Sequence, residues 1–326
     1  MMRSNQNVKD DGRVRFFDLK PDVADIKTEV LAGLMSASKR ISPKYFYDER
    51  GSVLFEAITE LPEYYPTRTE IGILEDHGHE IAREVGDASF LIEYGSGSSK
   101  KSRVLLESLR PSSYMPVDIS RDHLFASAEA IAADYDWLNV YPTCADYSSD
   151  WELPVSVDEG VRRVAFFPGS SIGNFEPDDA QRFLAGVRRT VGEDGALIIG
   201  VDLKKPTGVL ERAYNDSEGV TAEFNRNVLR HLNSCLEGEF DPSAFDHEAR
   251  YNEDEGRVEM YLVSTARQTV RLGGEEVSFE KGEAIHTENS YKYHAPEFAS
   301  LADEAGFDLG GSWRDPSNYF EVFLFE

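Results

Sequence analysis

A glycine loop followed by two carboxylates is the part of this sequence best suited to hold a ligand. Gly95 and Gly97 stand between an apolar run and a helical pattern, and such turns in open α/β sheets lie where ligands bind, beyond the carboxyl ends of strands. Asp118 ends a second apolar run, and Asp146 with Tyr147 ends a third. An acidic residue about 20 positions past the loop is placed to accept hydrogen bonds from ribose hydroxyls.

The glycine loop alone is weak evidence, because many turns from strand to helix carry two glycines for geometric reasons. A dinucleotide fingerprint would also require a third glycine at position 100, where this chain has Lys100. Carboxylates after the second and third runs, in place of a pyrophosphate loop, suit a nucleoside ligand that lacks phosphates.

Strands and helices must alternate for these residues to meet at one edge of a sheet. Five apolar runs, bounded by turn residues and separated by helical patterns, predict a parallel sheet of the α/β class. They lie at residues 90–92, 114–118, 138–146, 163–167 and 196–202. A helix at 296–307 and a last strand at 319–325 are predicted to complete this sheet.

The remaining sequence predicts a second domain built from two separate segments. The sheet domain takes residues 69–204 and 292–326, which leaves 13–68 and 205–291. The first of these segments has helical spacing at 23–37, and the second begins as a helix and ends in strands at 258–263 and 268–272. An insertion after the fifth strand lies at the carboxyl edge of the sheet, a position suited to substrate binding.

Composition narrows the class of protein. A net charge of −26 would repel nucleic-acid phosphates, so no nucleic-acid partner is expected. No stretch approaches the roughly 18 apolar residues of a membrane span, and residues 1–21 lack the apolar segment of a secretory signal. Cys144 and Cys235 form no metal-ligand pattern, and His77 with His79 lacks a third ligand. We expect a monomeric, cytoplasmic protein without a bound metal.

Several longer motifs resemble one family. They occupy residues 44–48 (KYFYD), 51–55 (GSVLF), 61–70 (LPEYYPTRTE), 169–174 (GSSIGN) and 287–293 (TENSYKY). From about residue 13 to its end the chain resembles the histidine Nα-methyltransferases of ergothioneine biosynthesis, which trimethylate free L-histidine to hercynine. The resemblance implies a Rossmann-like class I methyltransferase domain, a second substrate-binding domain, and S-adenosylmethionine as the cofactor.

The resemblance also implies roles for the residues of the glycine loop and the strand ends. The first loop would surround the methionine end of the cofactor, the second acid would bind its ribose, and the third would contact adenine. The residues assigned to the cofactor are Gly95, Lys101, Asp118, Asp146 and Tyr147.

For the substrate, the resemblance implies contacts to each of its three polar groups. Asn174 and Tyr214 would hold the carboxylate, while Tyr64 and Tyr47 would face the α-amino group. Glu288 and Ser290 would pair with the two imidazole nitrogens. Asn289 and Met260 complete the substrate site, with Met260 packed near the ring, and Tyr64 and Asn174 are the residues expected to act in catalysis.

Simpler interpretations stay open for individual residues. Tyr214 could be a core tyrosine, Asn174 a loop or helix cap, and Glu288 a solvated surface charge. The acceptor of the amine proton is also open between water, Tyr64 and a backbone carbonyl near Gly169. The rival functions are a related enzyme acting on another aromatic amino acid and a catalytically silent binding protein.

Overall fold

The computed structural model describes residues 12–19, 23–86, 89–97, 99–148, 151–158 and 160–326. This part of the chain forms two compact units. The sheet unit takes Pro66–Lys204, Tyr293–Glu326 and the described part of Met1–Lys20. The second unit takes Lys205–Lys292 and the described part of Pro21–Tyr65. Which unit binds which reactant stays a prediction.

Strands and helices alternate over most of residues 90–202, after a segment that is mainly helical. The strands are β1 (Phe17–Asp18), β2 (Phe90–Tyr94), β3 (Ser113–Asp118), β4 (Asn139–Val140), β5 (Thr143–Cys144), β6 (Arg163–Phe167), β7 (Ala196–Asp202), β8 (Phe245–Asn252), β9 (Arg257–Ser264), β10 (Gln268–Leu272), β11 (Glu275–Phe279), β12 (Ala284–Tyr291), β13 (Leu309–Arg314) and β14 (Phe320–Phe325). The α-helices are α1 (Val23–Leu34), α2 (Glu49–Glu60), α3 (Tyr65–Val85), α4 (Lys100–Leu109), α5 (Arg121–Asp134), α6 (Pro177–Val191), α7 (Thr207–Tyr214), α8 (Val220–Leu236) and α9 (Ala295–Glu304). Short 3-10 helices occur at Pro43–Phe46, Ser171–Asn174 and Pro242–Ala244.

Among the described strands, nine form one sheet in the order β1-β5-β3-β2-β6-β7-β14-β13, with β4 beside β3. Neighbours from β1 to β7 are parallel, whereas β14 runs antiparallel to both β7 and β13. The predicted α/β class and the inserted last strand are therefore confirmed. All seven residues of β7 are buried, which explains its unbroken apolar run, since a central parallel strand is covered on both faces.

The core of the sheet unit joins the sheet to helices through aliphatic side chains. One cluster contains Ile198 of β7 together with Ile81 of α3, Leu105 of α4 and Ile131 of α5. Each such side chain stabilises the fold by about 1.5–3 kcal/mol when it is fully buried. This packing holds the strands rigid at the edge where the predicted ligand residues lie.

The structure differs from the sequence prediction at one edge of the sheet. Residues 138–146 form two short strands, β4 and β5, instead of one. Pro142 stands between them, and because it has no N–H it cannot continue a strand ladder. Phe17 of β1 pairs with Thr143, so residues 12–19 belong to the sheet unit although the sequence grouped them with the helical segment. With two residues, β1 is too short to show the alternation of apolar and polar residues that predicts a strand.

The second unit packs a long helix against an antiparallel sheet. Strand β9 lies between β8 and β12, and β10 pairs with β11, which confirms the strands predicted at 258–263 and 268–272. Buried residues recur along one face of α8 at Phe224, Val228 and Leu232, the spacing of an amphipathic helix. The ring of Phe224 lies 4.6 Å from that of Phe46, and this contact ties α8 to the segment before α2.

Candidate functional site

The predicted cofactor residues lie at the carboxyl ends of β2, β3 and β5. Gly95 follows β2, Asp118 ends β3, and Tyr147 comes shortly after β5. Because these strands are parallel neighbours, their carboxyl ends meet at one edge of the sheet. The structure therefore brings together residues that the sequence placed more than 50 positions apart.

Asp118 is the carboxylate around which this edge is organised. Its Oδ2 accepts a hydrogen bond from the Gly97 N–H at 3.3 Å, and its Oδ1 accepts one from the Ser120 N–H at 2.9 Å. Burial raises the pKa of the Asp118 carboxyl, while these backbone N–H groups act in the opposite direction. A carboxylate oxygen can accept more than one hydrogen bond, so both oxygens keep capacity for the vicinal hydroxyls of a ribose.

Gly95 allows the backbone of the loop to approach Tyr147. Its φ of +71° lies in the left-handed region, and an added Cβ would come 3.1 Å from the Tyr147 hydroxyl oxygen. The Tyr147 ring also packs edge-to-face against Tyr94 and Phe167. Nearby, the Asp146 carboxylate accepts the Ser148 N–H at 3.0 Å. Gly95 is thus required by a close approach, and Tyr147 forms an aromatic wall beside it.

A buried ion pair joins three elements of the sheet unit. The Lys101 Nζ lies 2.6 Å from Glu70 Oε2, and the same oxygen accepts the Gly169 N–H at 2.8 Å. The Glu70 side chain has no exposed surface. Glu70 therefore holds Lys101 of α4 and the loop after β6. Glu70 is the last residue of the motif at 61–70, and local sequence gave no indication of this role.

Glu93, the acid directly before the glycine loop, turns inward. Its carboxylate accepts hydrogen bonds from the hydroxyls of Tyr114 and Ser102. Burial raises the pKa of Glu93 to about 8, although both hydrogen bonds act in the opposite direction. Glu93 therefore anchors β2 to β3 and α4 below the loop.

In the second unit, three tyrosines assigned to the substrate form one aromatic cluster. The Tyr64 ring centroid lies 6.3 Å from that of Tyr214 and 6.1 Å from that of Phe55. Tyr47 lies 5.8 Å from Phe55 and also from Phe224. Edge-to-face packing at these distances stabilises ring pairs beyond their buried area, so the tyrosines are held in fixed orientations.

Glu288 and Ser290, the two residues predicted to bind the imidazole ring, lie on one face of β12. Successive side chains of a strand alternate between faces, so positions 288 and 290 point the same way. Met260 of β9 is the cross-strand partner of Glu288, which places its side chain beside the carboxylate; its contact with a substrate ring stays a prediction. Asn289 points to the opposite face and pairs with Glu259, so the structure does not bring it together with the other two.

Lys292, which was not among the predicted site residues, joins two of them through its ammonium group. Its Nζ is 2.7 Å from Ser290 Oγ and 3.0 Å from Tyr214 Oη. The Tyr214 hydroxyl in turn donates to Ser290 Oγ at 2.7 Å. The spacing of 288, 290 and 292 was a usable signal, because a period of two that continues one residue past the end of β12 places all three side chains on the same side.

Asn174, the remaining catalytic candidate, belongs to the sheet unit. It ends the 3-10 helix Ser171–Asn174 in the loop after β6 and is partly exposed. The Ser170 hydroxyl before this helix accepts the Asp202 N–H at 2.9 Å. This bond fixes the loop against the end of β7.

Two further observations concern metal binding and membrane-spanning helices. His77 and His79 lie on α3, and among the described residues no three His, Cys, Asp or Glu side chains gather as a metal ion would require. No helix in the described ranges combines the length and the apolar character needed to cross a membrane.

Glu288 should make stability depend on pH. Burial raises the pKa of its carboxyl from an ordinary 4.5 to about 7, against the opposing charge of Lys292. Because the folded pKa exceeds the unfolded one, ionising Glu288 destabilises the fold as pH rises from 4.5 to 7. We therefore compare the free energy of unfolding of Glu288→Gln with that of the parent protein. The difference, variant minus parent, should be greater at pH 8 than at pH 5, by up to about 3 kcal/mol. Urea unfolding at both pH values measures this difference.

A control for this measurement lies on the neighbouring strand. Burial acts to raise the pKa of Glu259, but hydrogen bonds from Tyr261, Asn252 and Arg257 outweigh it and bring the pKa to about 2. Its stabilising contribution is present above pH 4.5, so Glu259→Gln should lose stability about equally at pH 5 and pH 8. An equal response of the two variants to pH would contradict the Glu288 assignment.

Comparison with known proteins identifies the family. A family model described as a histidine-specific methyltransferase, SAM-dependent, matches residues 26–326. Histidine N-alpha-methyltransferase of Mycolicibacterium smegmatis is 40% identical over 92% of this chain and 94% of that protein. Ergothioneine biosynthesis protein 1 of Neurospora crassa is 31% identical over 90% of this chain and 34% of its own length. A 4-dimethylallyltryptophan N-methyltransferase of Arthroderma benhamiae is 28% identical over 88% of this chain and 89% of that protein. The resemblance seen in the motifs is confirmed, and the chain belongs to the family of histidine-specific, S-adenosylmethionine-dependent methyltransferases.

Proposed function

We propose that this enzyme transfers three methyl groups from S-adenosylmethionine to the α-amino group of free L-histidine, giving hercynine for ergothioneine biosynthesis. The observation that supports this substrate most directly is the pair Glu288 and Ser290. A buried carboxylate and a hydroxyl on one strand face match the two nitrogens of an imidazole ring. A site built in this way disfavours analogues without these nitrogens, because its own polar groups would be left unpaired.

The cofactor supplies a methyl group already activated by the sulfonium, so the protein needs chiefly to bind and align. In this proposal Asp118 accepts both ribose hydroxyls, and the backbone at Gly95 receives the methionine end. Asp146 and Tyr147 contact the adenine, while Lys101 is positioned through its ion pair with Glu70.

The substrate residues would orient the α-amino nitrogen for attack. Asn174 and Tyr214 hold the carboxylate, and Tyr64 with Tyr47 contacts the amino group. An α-amino group has a pKa of about 8, so a proton must leave before each transfer. Fixing the neutral amine in line with the methyl group supplies the proximity contribution to catalysis.

Mass spectrometry tests the proposal. The purified protein is incubated with S-adenosylmethionine and each of the twenty amino acids in turn. We expect histidine to yield a trimethylated product, with the remaining amino acids unchanged. Methylation of a different amino acid would overturn the choice of substrate, and no product with any of them would overturn the proposed activity. Size-exclusion chromatography of the same sample checks the expected monomer.

A second candidate substrate is another aromatic amino acid. It is favoured by the relative named as a 4-dimethylallyltryptophan N-methyltransferase and by Met260, an apolar side chain beside Glu288. Glu288 argues against it, because a buried carboxylate facing an apolar ring would lack a partner. The mass-spectrometric comparison separates the two substrates.

A further inference from the structure

Lys292 is a buried cation that none of the proposed roles uses. Only 2% of its surface is exposed, and its ammonium group contacts both Ser290 Oγ and Tyr214 Oη. Since those two oxygens also contact each other, the three polar groups form a closed triangle. Two of its three members are residues that the proposed function assigns to the substrate.

The chemistry of an ammonium group dictates the direction of these hydrogen bonds. Lysine has three donors and no acceptor, so Ser290 Oγ and Tyr214 Oη must both accept from Lys292. Tyr214 donates its proton to Ser290, as expected because a phenol is a stronger acid than an aliphatic hydroxyl. Both lone pairs of Ser290 Oγ are then used, and Ser290 can make a further hydrogen bond only as a donor.

Lys292 also acts on Glu288, the second residue that is proposed to bind the imidazole ring. Burial raises the pKa of the Glu288 carboxyl to about 7 and the charge of Lys292 opposes this rise, so above pH 7 the group is mainly ionised and can only accept hydrogen bonds. One strand face therefore presents a donor at Ser290 and an acceptor at Glu288. A neutral imidazole carries one N–H and one bare nitrogen, which is the complementary pattern.

We propose that Lys292 is a positioning residue that sets hydrogen-bond polarity in the ring site, making Ser290 a donor so that neutral histidine binds in a single tautomer. This inference rests on the proposed function and adds to it the ring form that is selected. A substrate carboxylate is a stronger acceptor than a hydroxyl, so the Tyr214 hydroxyl can donate its hydrogen bond to the substrate instead of to Ser290. Lys292 still donates to Ser290 Oγ, and this cation polarises the hydroxyl into a better donor and a poorer acceptor, so Ser290 presents its own proton to the ring.

The test uses Lys292→Met, which keeps an apolar stem of similar length and removes every donor. Histidine is compared with β-(2-thienyl)alanine, whose five-membered ring has no nitrogen. We expect the ratio of the two kcat/KM values to fall at least roughly tenfold in favour of thienylalanine, as the loss of one buried hydrogen bond predicts. The dissociation constant of S-adenosylhomocysteine, measured by calorimetry, should stay unchanged.

A matched control and a double variant isolate the mechanism. Lys205 also places its Nζ on a tyrosine hydroxyl, 2.8 Å from Tyr65 Oη, and Lys205→Met should leave the substrate ratio at its parent value. In a Ser290→Ala background, Lys292→Met should change the ratio little further, because the lysine acts through Ser290. Equal losses for both substrates, or additive effects of the two substitutions, would show a merely structural role and overturn the inference.

If Lys292→Met fails to fold, a measurement on the unaltered enzyme tests whether histidine binds in a single tautomer. Histidine labelled with ¹⁵N in the ring is bound together with S-adenosylhomocysteine at pH 7.5, and its nitrogen shifts are recorded. We expect one protonated and one unprotonated ring nitrogen. Two protonated nitrogens, or averaged shifts from mixed tautomers, would refute the inference while leaving the methyltransferase activity untouched. Absence of histidine methylation by the parent enzyme would instead refute the proposed function.

Discussion

Glu288→Ala should lower kcat/KM for histidine on the order of 100-fold, the loss expected when a charge-assisted hydrogen bond of about 3 kcal/mol is removed. The carboxylate is buried on β12, where it is proposed to accept the imidazole N–H. Cofactor affinity should stay nearly constant, because Asp118 and its neighbours belong to the other unit. Steady-state kinetics with histidine and calorimetry with S-adenosylhomocysteine measure the two quantities.

The same substitution should change which ring is preferred. Without the carboxylate, no buried anion is left facing the ring, so tryptophan should be tolerated better. Adding Met260→Val should strengthen this shift, because Met260 is the cross-strand neighbour of Glu288 and a smaller side chain enlarges the space beside the ring. If the ratio of kcat/KM for histidine and tryptophan is the same in the parent enzyme and Glu288→Ala, Glu288 does not read the substrate.

Asp118→Ala should weaken S-adenosylmethionine binding at least roughly tenfold. The carboxylate is partly buried and is held at the edge of the sheet by the N–H groups of Gly97 and Ser120. Its removal takes away two acceptors for the ribose hydroxyls. Calorimetric titration with the cofactor gives the affinity directly.

Asp122→Ala is the matched control for this measurement. Asp122 lies in the first turn of α5, a few residues later, but its carboxylate is largely exposed and pairs with Arg121. Surface ion pairs contribute little, so this variant should bind the cofactor like the parent enzyme. Equal affinities for Asp118→Ala and the parent enzyme would disprove the ribose assignment.

Local sequence predicts most of the sheet, because buried parallel strands need continuous apolar runs. The runs that became β2, β6 and β7 were long enough to be read in this way. The edge strands β1, β4 and β5 could not be recognised from the sequence, because each of them has only two residues. Their positions depend on pairing with distant strands, as Phe17 with Thr143 shows, and no local pattern records such a pairing.

Some residues of the candidate site could be predicted from the sequence, whereas the placement of others required the structure. Residue types and motifs already indicated Asp118, Tyr64, Glu288 and Ser290, because their chemistry suits the ligands that the family uses. Asn289 was assigned to the substrate site together with Glu288 and Ser290, whereas strand alternation turns it to the other face of β12.

The sequence by itself determined the α/β class, the family and the chemical types at the ligand site, since these depend on apolar runs and contiguous motifs. Tertiary structure alone decided that Lys292 contacts Tyr214 and that Glu70 holds Lys101. Those residues are far apart along the chain and meet only because packing closes the loops between them. Because a charged group buried away from water needs hydrogen-bond or ion-pair partners, these residues pair with the groups that the fold places beside them.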